Sequence, residues 1–290
     1  MIETSRAVTT FEAERSHLFA VAYRMLGSAA EAEDVLQEAF VRWNESDAKA
    51  DSPRAYLTTI VVRLCVDQLK SARARRETYV GPWLPEPIAG KDDVAQRPDA
   101  RAELAESLSI AFLALLERLS PLERAAFLLR EVFDRPFDEV ASTLGTTEAA
   151  CRQLVSRARA HVDEGRPRFT ASDAKKQELL QAFVGACSTG DPAVLAQLLA
   201  EDVVLRSDGG GKVTAALKPV HGPDRVARFI FGVMKKGVGG VPELAVVNGE
   251  PAFVLRDAHG HAMVVLTLAI ANERIQDVFI VVNPDKLARA

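Results

Sequence analysis

The sequence predicts a multidomain chain: two all-α units, the second a helix-turn-helix, followed by an α+β domain with a curved sheet. Three observations predict it. At 290 residues the chain is longer than a single helical domain needs and suggests two or three cores. Apolar residues recur every three or four positions as far as Val162, then alternate with polar ones beyond residue 200. Two breaks interrupt the pattern. Residues 77–102 hold Pro82, Pro85, Pro87 and Pro98, and Gly165-Arg-Pro-Arg168 forms a second break. The predicted division is therefore 1–80, a linker at 81–102, 103–165, and 173–290.

Each element follows from local signals. Residues 11–26 form an amphipathic helix stopped by Gly27. Ser28 with Glu31 makes a capping box that starts the next helix, whose apolar side is Val35, Leu36, Ala39, Phe40 and Trp43. Asp34, Gln37, Glu38 and Val41 share its other side, which periodicity alone reads as a solvated acidic face. Ser52-Pro53 caps a third helix running to Arg76. Its end, SARARR, carries more arginine than a helix dipole requires, which favours a phosphate contact. Helices at 103–118 and 121–132 follow the linker.

Residues 137–162 read as two short helices joined at Leu144-Gly145-Thr146, with Thr147 as N-cap of the second. At 100° per residue, Cys151, Val155, Ala158 and Val162 fall on one core-facing stripe. Arg152, Gln153 and Ser156 lie opposite, with Arg157 and Arg159 at the edges, as in a DNA recognition helix. An ordinary amphipathic pair would share this pattern, so the assignment draws on the rest of the chain.

The last unit opens with helices at 174–189 and 192–200. Strands are predicted at Val203–Asp208, Val213–Leu217, Glu243–Val247, Ala252–Arg256, Ala262–Ala269 and Ile275–Val282, with a helix near 223–236. Turns at Asp257–Gly260 and Asn272–Arg274 make the later strands antiparallel hairpins.

Composition narrows the function classes. With 48% hydrophobic and 26% charged residues the chain reads as a globular protein, and its formal charge of −4 is unusual for unaided DNA binding. Basic charge is local. Residues 61–76 carry Arg63, Lys70, Arg73, Arg75 and Arg76 against Asp67, and residues 152–168 carry five Arg against Asp163 and Glu164. Two patches of this kind imply a partner that supplies affinity. Cys65, Cys151 and Cys187 lack ligand spacing, so neither disulfides nor a metal site is expected. No signal segment or membrane-length apolar run is read, which places the protein in the cytoplasm. Neither a catalytic constellation nor a cofactor motif is found; Asp208-Gly-Gly-Gly-Lys212 lacks the spacing and following Ser or Thr of a phosphate-binding loop.

The assembled motifs resemble the extracytoplasmic-function sigma factors, the promoter-specificity subunits of bacterial RNA polymerase, in the subgroup with a fused SnoaL-like C-terminal domain. AEDVLQEAFVRW and PRAYLTTIVVRLCVDQL resemble the second conserved sigma region, and residues 117–159 the fourth. The subgroup's own marks are Trp83-Leu-Pro-Glu-Pro87, Asp208-Gly-Gly-Gly-Lys212 and Asn283-Pro-Asp-Lys286-Leu287.

The resemblance implies partners and sites. Asp34, Gln37, Glu38 and Val41 would bind the polymerase core. Arg63, Lys70, Arg73 and Arg75 would meet the downstream (minus-ten) promoter element. Thr147, Arg152, Gln153, Ser156, Arg157 and Arg159 would meet the upstream (minus-thirty-five) element. Val61-Val62-Arg63 stands where many members carry Ala-Arg-Asn, so the resemblance does not fix which contacts that turn makes. Trp83, Leu84, Glu86, Asp208, Gly209, Gly210, Gly211, Lys212, Asn283, Asp285 and Lys286 form an interdomain, regulatory set, with the linker docking near Asp208–Lys212 and Glu86 pairing with Lys212.

Two rival readings stay open. A ligand-responsive repressor or activator would bind DNA as a polymerase-free dimer. A cyclase or isomerase would use Arg206, Asp208, His221, Asp224, His259 or His261, although residues 173–290 contain neither Tyr nor Trp to donate to an oxyanion. A small ligand of the C-terminal domain is likewise left open.

Overall fold

A computed structural model describes residues 2–45, 52–76, 78–90, 108–165, 171–237 and 239–290; the side chains of 2–6, 72–76 and 165 are outside that description. Two compact units emerge. The first comprises Met1–Glu77, Asp92–Ser107 and Leu115–Glu164, and the second Thr78–Lys91, Leu108–Ala114 and Gly165–Ala290.

In the first unit, α1 (Ile2–Leu26), α2 (Ala29–Glu45) and α3 (Pro53–Arg76) pack on one another. Each helix buries one stripe: Leu18, Val21 and Met25 from α1, Val35, Leu36 and Ala39 from α2, Leu57, Val61 and Cys65 from α3. Gly27, with φ 68°, ends α1, and Ser28 Oγ accepts from the Glu31 amide at 3.3 Å, so the predicted stop and start fall where expected. α1 begins well before the predicted Phe11, and Trp43 Nε1 donates to Ala7 O at 3.1 Å across that added length.

After α4 (Ile110–Leu116), the helix α5 (Pro121–Phe127) starts with a complete Ser120/Glu123 capping box and runs into a π-helical turn, Leu128–Val132. The helix-turn-helix follows as α6 (Phe137–Leu144) and α7 (Glu148–Gly165). Gly145 adopts the left-handed conformation that closes α6, and Thr147 Oγ1 accepts from Ala150 N at 3.2 Å. The stripe Cys151, Val155, Ala158 and Val162 is at most 2% exposed, as its spacing demands. The predicted helix 103–118 is described only from Ile110; residues 103–107 lie outside the described residues.

The second unit carries α8 (Asp173–Thr189), α9 (Pro192–Leu198), β1 (Leu199–Asp208), β2 (Val220–His221), α10 (Pro223–Met234), β3 (Val241–Val247), β4 (Glu250–Arg256), β5 (Ala262–Ala271) and β6 (Arg274–Val281). The sheet order is β2-β1-β6-β5-β4-β3, with only the β1/β6 pair parallel. Irregular register in the β1/β6, β4/β5 and β5/β6 pairs bends the sheet into a curved layer.

Alternation assigns the two faces. Leu205, Leu266, Leu268 and Val278 join Phe183, Val226 and Ile230 of the helices in one apolar core. On the opposite face, Val254, Val265, Phe279 and Val281 are covered by Leu84, Ile110, Ala111 and Leu287. Residues 78–90 and 108–114 therefore pack on one face of the same sheet. Asn248, with Gly249 in the β3–β4 turn, fixes both segments: its Oδ1 accepts from Ile88 N at 2.9 Å and its Nδ2 donates to Leu108 O at 2.8 Å.

The strand predicted at Val213–Leu217 is absent. The chain instead turns tightly, with Lys212 N donating to Gly209 O at 3.0 Å, and Val220–His221 further on pairs with β1 on the edge opposite β6. Alternation in so short a stretch cannot outweigh three consecutive glycines that favour a turn.

Candidate functional site

On α2, Asp34, Gln37, Glu38 and Val41 are all exposed, while their neighbours Val35, Leu36 and Ala39 are buried. Glu38 pairs with Arg42 at 2.9 Å one turn away, and Val41 is 48% exposed, a large apolar side chain in an otherwise polar face. The acidic face is thus presented by a rigid three-helix scaffold and contributes nothing to its core.

The basic residues of α3 differ in their engagement. Lys70 pairs with Asp67 at 3.0 Å on the surface. Arg63 donates from Nε to Thr143 O at 2.9 Å and from Nη2 to Ser142 O at 3.1 Å, at the end of α6. The side chains of Arg73 and Arg75 lie outside the described residues.

α7 exposes Arg152, Gln153, Ser156, Arg157 and Arg159 together. Arg152 pairs with Glu148 at 2.8 Å, and its guanidinium stacks over the Phe137 ring at 4.6 Å. Arg157 pairs with Glu123 at 2.9 Å and Arg159 reaches both oxygens of Glu131 at 2.8 Å. The Arg152–Glu148 pair is exposed on both sides and worth at most about 1 kcal/mol, whereas Arg157 and Arg159 pair with the more shielded Glu123 and Glu131.

In the second unit a buried polar cluster fastens the proline-rich segment. Asp208, fully buried at the end of β1, accepts from Tyr79 Oη at 2.6 Å, Leu84 N at 2.8 Å, Lys286 Nζ at 2.8 Å and Gly210 N at 3.0 Å. Lys286 Nζ also donates to Leu84 O at 2.5 Å and sits 4.0 Å from the Trp83 ring centre. Asn283 Nδ2 donates to Tyr79 Oη at 3.0 Å. Burial and the Asp208 carboxylate push the Tyr79 hydroxyl up, which keeps it a donor.

The glycine run is explained here. A Cβ on Gly210 would collide with Asn283 Nδ2, and one on Gly209 would come within 2.5 Å of Val213 O. Gly211 lies against Val80.

One expected contact is not formed. Lys212 pairs with Asp285 at 2.6 Å on the surface, while Glu86 is buried. The buried cation of this site is Lys286, whose position between Asp208 and Trp83 sequence spacing could not show. Trp83 itself is half-buried, with its ring over Lys286.

Comparison with known proteins is decisive for the family. Residues 10–75 match the Sigma-70 region 2 family and residues 109–162 the Sigma-70, region 4 family. The ECF RNA polymerase sigma factor SigJ of Mycobacterium tuberculosis H37Rv is 41% identical, with 96% of this chain and 92% of that protein aligned. The chain belongs to the ECF RNA polymerase sigma factors. The probable sigma factor SigI of M. tuberculosis CDC 1551 is 34% identical over 96% of this chain and 93% of its own. The crystal structure of M. tuberculosis SigJ superposes with a TM-score of 0.77 at 39% identity, covering 96% of this chain and 97% of that one.

As a sigma factor the protein binds the RNA polymerase core and promoter DNA. The ionisable residues weighed for catalysis do not converge. Arg206 pairs with Asp277, Asp208 belongs to the buried cluster, His221 and Asp224 are exposed, and His259 and His261 flank an exposed turn around Asp257. The core under α8–α10 is apolar.

Among the described residues no His, Cys, Asp and Glu cluster could hold a metal, and no helix is long and apolar enough to cross a membrane. Sequence reading missed Tyr79, Phe137 and Asn248. Tyr79 supplies an aromatic hydroxyl that 173–290 lacks, and its place four residues before Trp83 was the one signal that pointed to it.

Proposed function

We propose that this sigma factor attaches to the polymerase core through Asp34, Gln37, Glu38 and Val41. On this reading it meets the downstream element with α3 and reads the upstream element with α7, in the cytoplasm. The exposed α7 face opposite the buried Cys151–Val162 stripe is the observation that carries it. Arg152 and Gln153 would contact base edges, Ser156 a base or phosphate, and Thr147, Arg157 and Arg159 the backbone. No bond-making step and no small ligand enters this reading.

The second unit would set activity through the segment it holds. Because residues 78–90 and 108–114 are fastened to one sheet face, the connector between α3 and α4 cannot extend freely. Releasing it would lengthen the reach between the two DNA-reading modules. Trp83, Leu84, Glu86, Asp208, Gly209, Gly210, Gly211, Asn283 and Lys286 would form this clasp, with Lys212 and Asp285 a peripheral pair.

A net charge of −4 implies that core polymerase supplies most of the affinity. Fluorescence anisotropy on promoter duplex should give weak, non-specific binding by the free chain and specific binding once core is added. Tight specific binding by a polymerase-free dimer would favour the repressor reading. Arg152→Ala should retain core binding but weaken discrimination between intact and altered upstream elements by about 1–3 kcal/mol. Unaltered discrimination removes Arg152 from the reading set.

A further inference from the structure

Phe137, the first residue of α6, is met by two guanidiniums. Arg152 of α7 lies over its ring at 4.6 Å and Arg130 of the π-helical turn at 5.1 Å. The backbone between these groups sets the arrangement. After the turn Leu128–Val132, Asp134 takes the left-handed conformation, φ 51°, which aspartate enters more readily than most residues. Arg135 N donates back to Leu129 O at 2.9 Å, while Arg130 Nη1 reaches forward to Arg135 O at 3.1 Å and to Asp134 at 3.6 Å. The chain thus enters α6 through a tight bend that brings the half-buried Phe137 ring against Arg130 on one element and Arg152 on another.

The three exposed arginines of α7 are held in different ways. Arg159 commits its fork to both oxygens of Glu131, and Arg157 donates its Nε to Glu123. Arg152 gives Nη2 to Glu148 one turn back, a contact between two exposed side chains that fixes little by itself. Its second restraint is the ring. A guanidinium held over an aromatic ring keeps its in-plane N–H groups open, and those are the groups that a bidentate contact to a base edge uses. Fixing a long side chain before DNA arrives also removes part of the ordering cost of that contact.

We infer that Phe137 is a positioning residue for promoter discrimination: its ring, braced by Arg130, holds the Arg152 guanidinium and leaves the in-plane N–H groups open to a base pair of the upstream element. The inference rests on the reading of Arg152 as a base contact. The hold comes from the negative face of the ring, so an aliphatic side chain in the same half-buried place would fill the space without supplying it.

Phe137→Leu and Phe137→Tyr test this in the full chain assembled with core polymerase, with Arg152→Ala as reference. The probe is a promoter taken from a start site that the holoenzyme uses on genomic DNA of the source organism, its upstream element randomised, with transcripts sequenced to read the preference at each base pair. Phe137→Leu should lower that preference about two- to fivefold at the base pairs that Arg152→Ala relaxes and at no others. Phe137→Tyr, which keeps the ring, should retain it. Combined with Arg152→Ala, Phe137→Leu should add no further loss of preference. In the free chain the Arg152 Nε–H proton should show a ring-current shift that Phe137→Tyr keeps and Phe137→Leu removes. Unaltered preference in Phe137→Leu while Arg152→Ala relaxes it, equal weakening of every sequence, additive losses in the double variant, or an Arg152 resonance insensitive to the ring would each overturn the inference. An Arg152→Ala chain with full preference overturns the base-contact reading itself, and the inference with it.

Discussion

Asp208→Ala is expected to detach Tyr79–Ile88 from the sheet and to raise run-off transcription at limiting core polymerase. The carboxylate is fully buried and answers four donors from three parts of the chain, so its removal breaks the buried ion pair with Lys286, itself 9% exposed. Breaking one partner of such a pair costs about 3–5 kcal/mol, which shifts a docking equilibrium by roughly a hundredfold to several thousandfold. Hydrogen exchange should show loss of protection at the Leu84 amide, bonded to Asp208, and at Ile88, bonded to Asn248. The paired replacement Asp208→Leu with Lys286→Met removes both charges and should recover part of the docking. Full protection at Leu84 in Asp208→Ala would show that apolar burial of Leu84 alone holds the segment. Released amides with unaltered transcription would separate the clasp from activity.

Asp34→Arg with Glu38→Arg should abolish co-elution with core polymerase while leaving helicity and thermal unfolding nearly unaltered. Both side chains project from α2 away from Val35, Leu36 and Ala39, and exposed substitutions of this kind are usually worth within about 0.5 kcal/mol of stability. Reversing two charges on a docking face, by contrast, turns attraction into repulsion. Loss of helicity would make the face structural, and normal co-elution would place the polymerase contact elsewhere.

The sequence was most legible where one local signal fixes one local outcome. Gly27 and Ser28 ended and restarted helices, and the spacing of Cys151, Val155, Ala158 and Val162 oriented α7. It was least legible where the partner is remote. Lys286 and Asp208 are 78 residues apart and Tyr79 and Asn283 204 apart, so composition could propose a docked Trp83 but not the cation beneath it. The expected Glu86–Lys212 pair failed for the same reason, since opposite charges in two motifs do not determine which of several nearby carboxylates a lysine meets. Val213–Leu217 shows the converse limit: alternation suggested a strand, and the preceding glycines folded the chain back first.

Run-off transcription on fragmented genomic DNA of the source organism, with core polymerase alone and with core plus the purified chain, followed by sequencing of RNA 5′ ends, tests the central claim on every promoter the chain can use. The expected result is a limited set of new start sites sharing one upstream and one downstream sequence element, lost with Asp34→Arg/Glu38→Arg, and with Arg152→Ala relaxing the upstream element alone. Start sites identical to those of core alone, with tight specific DNA binding by the free chain, would contradict it.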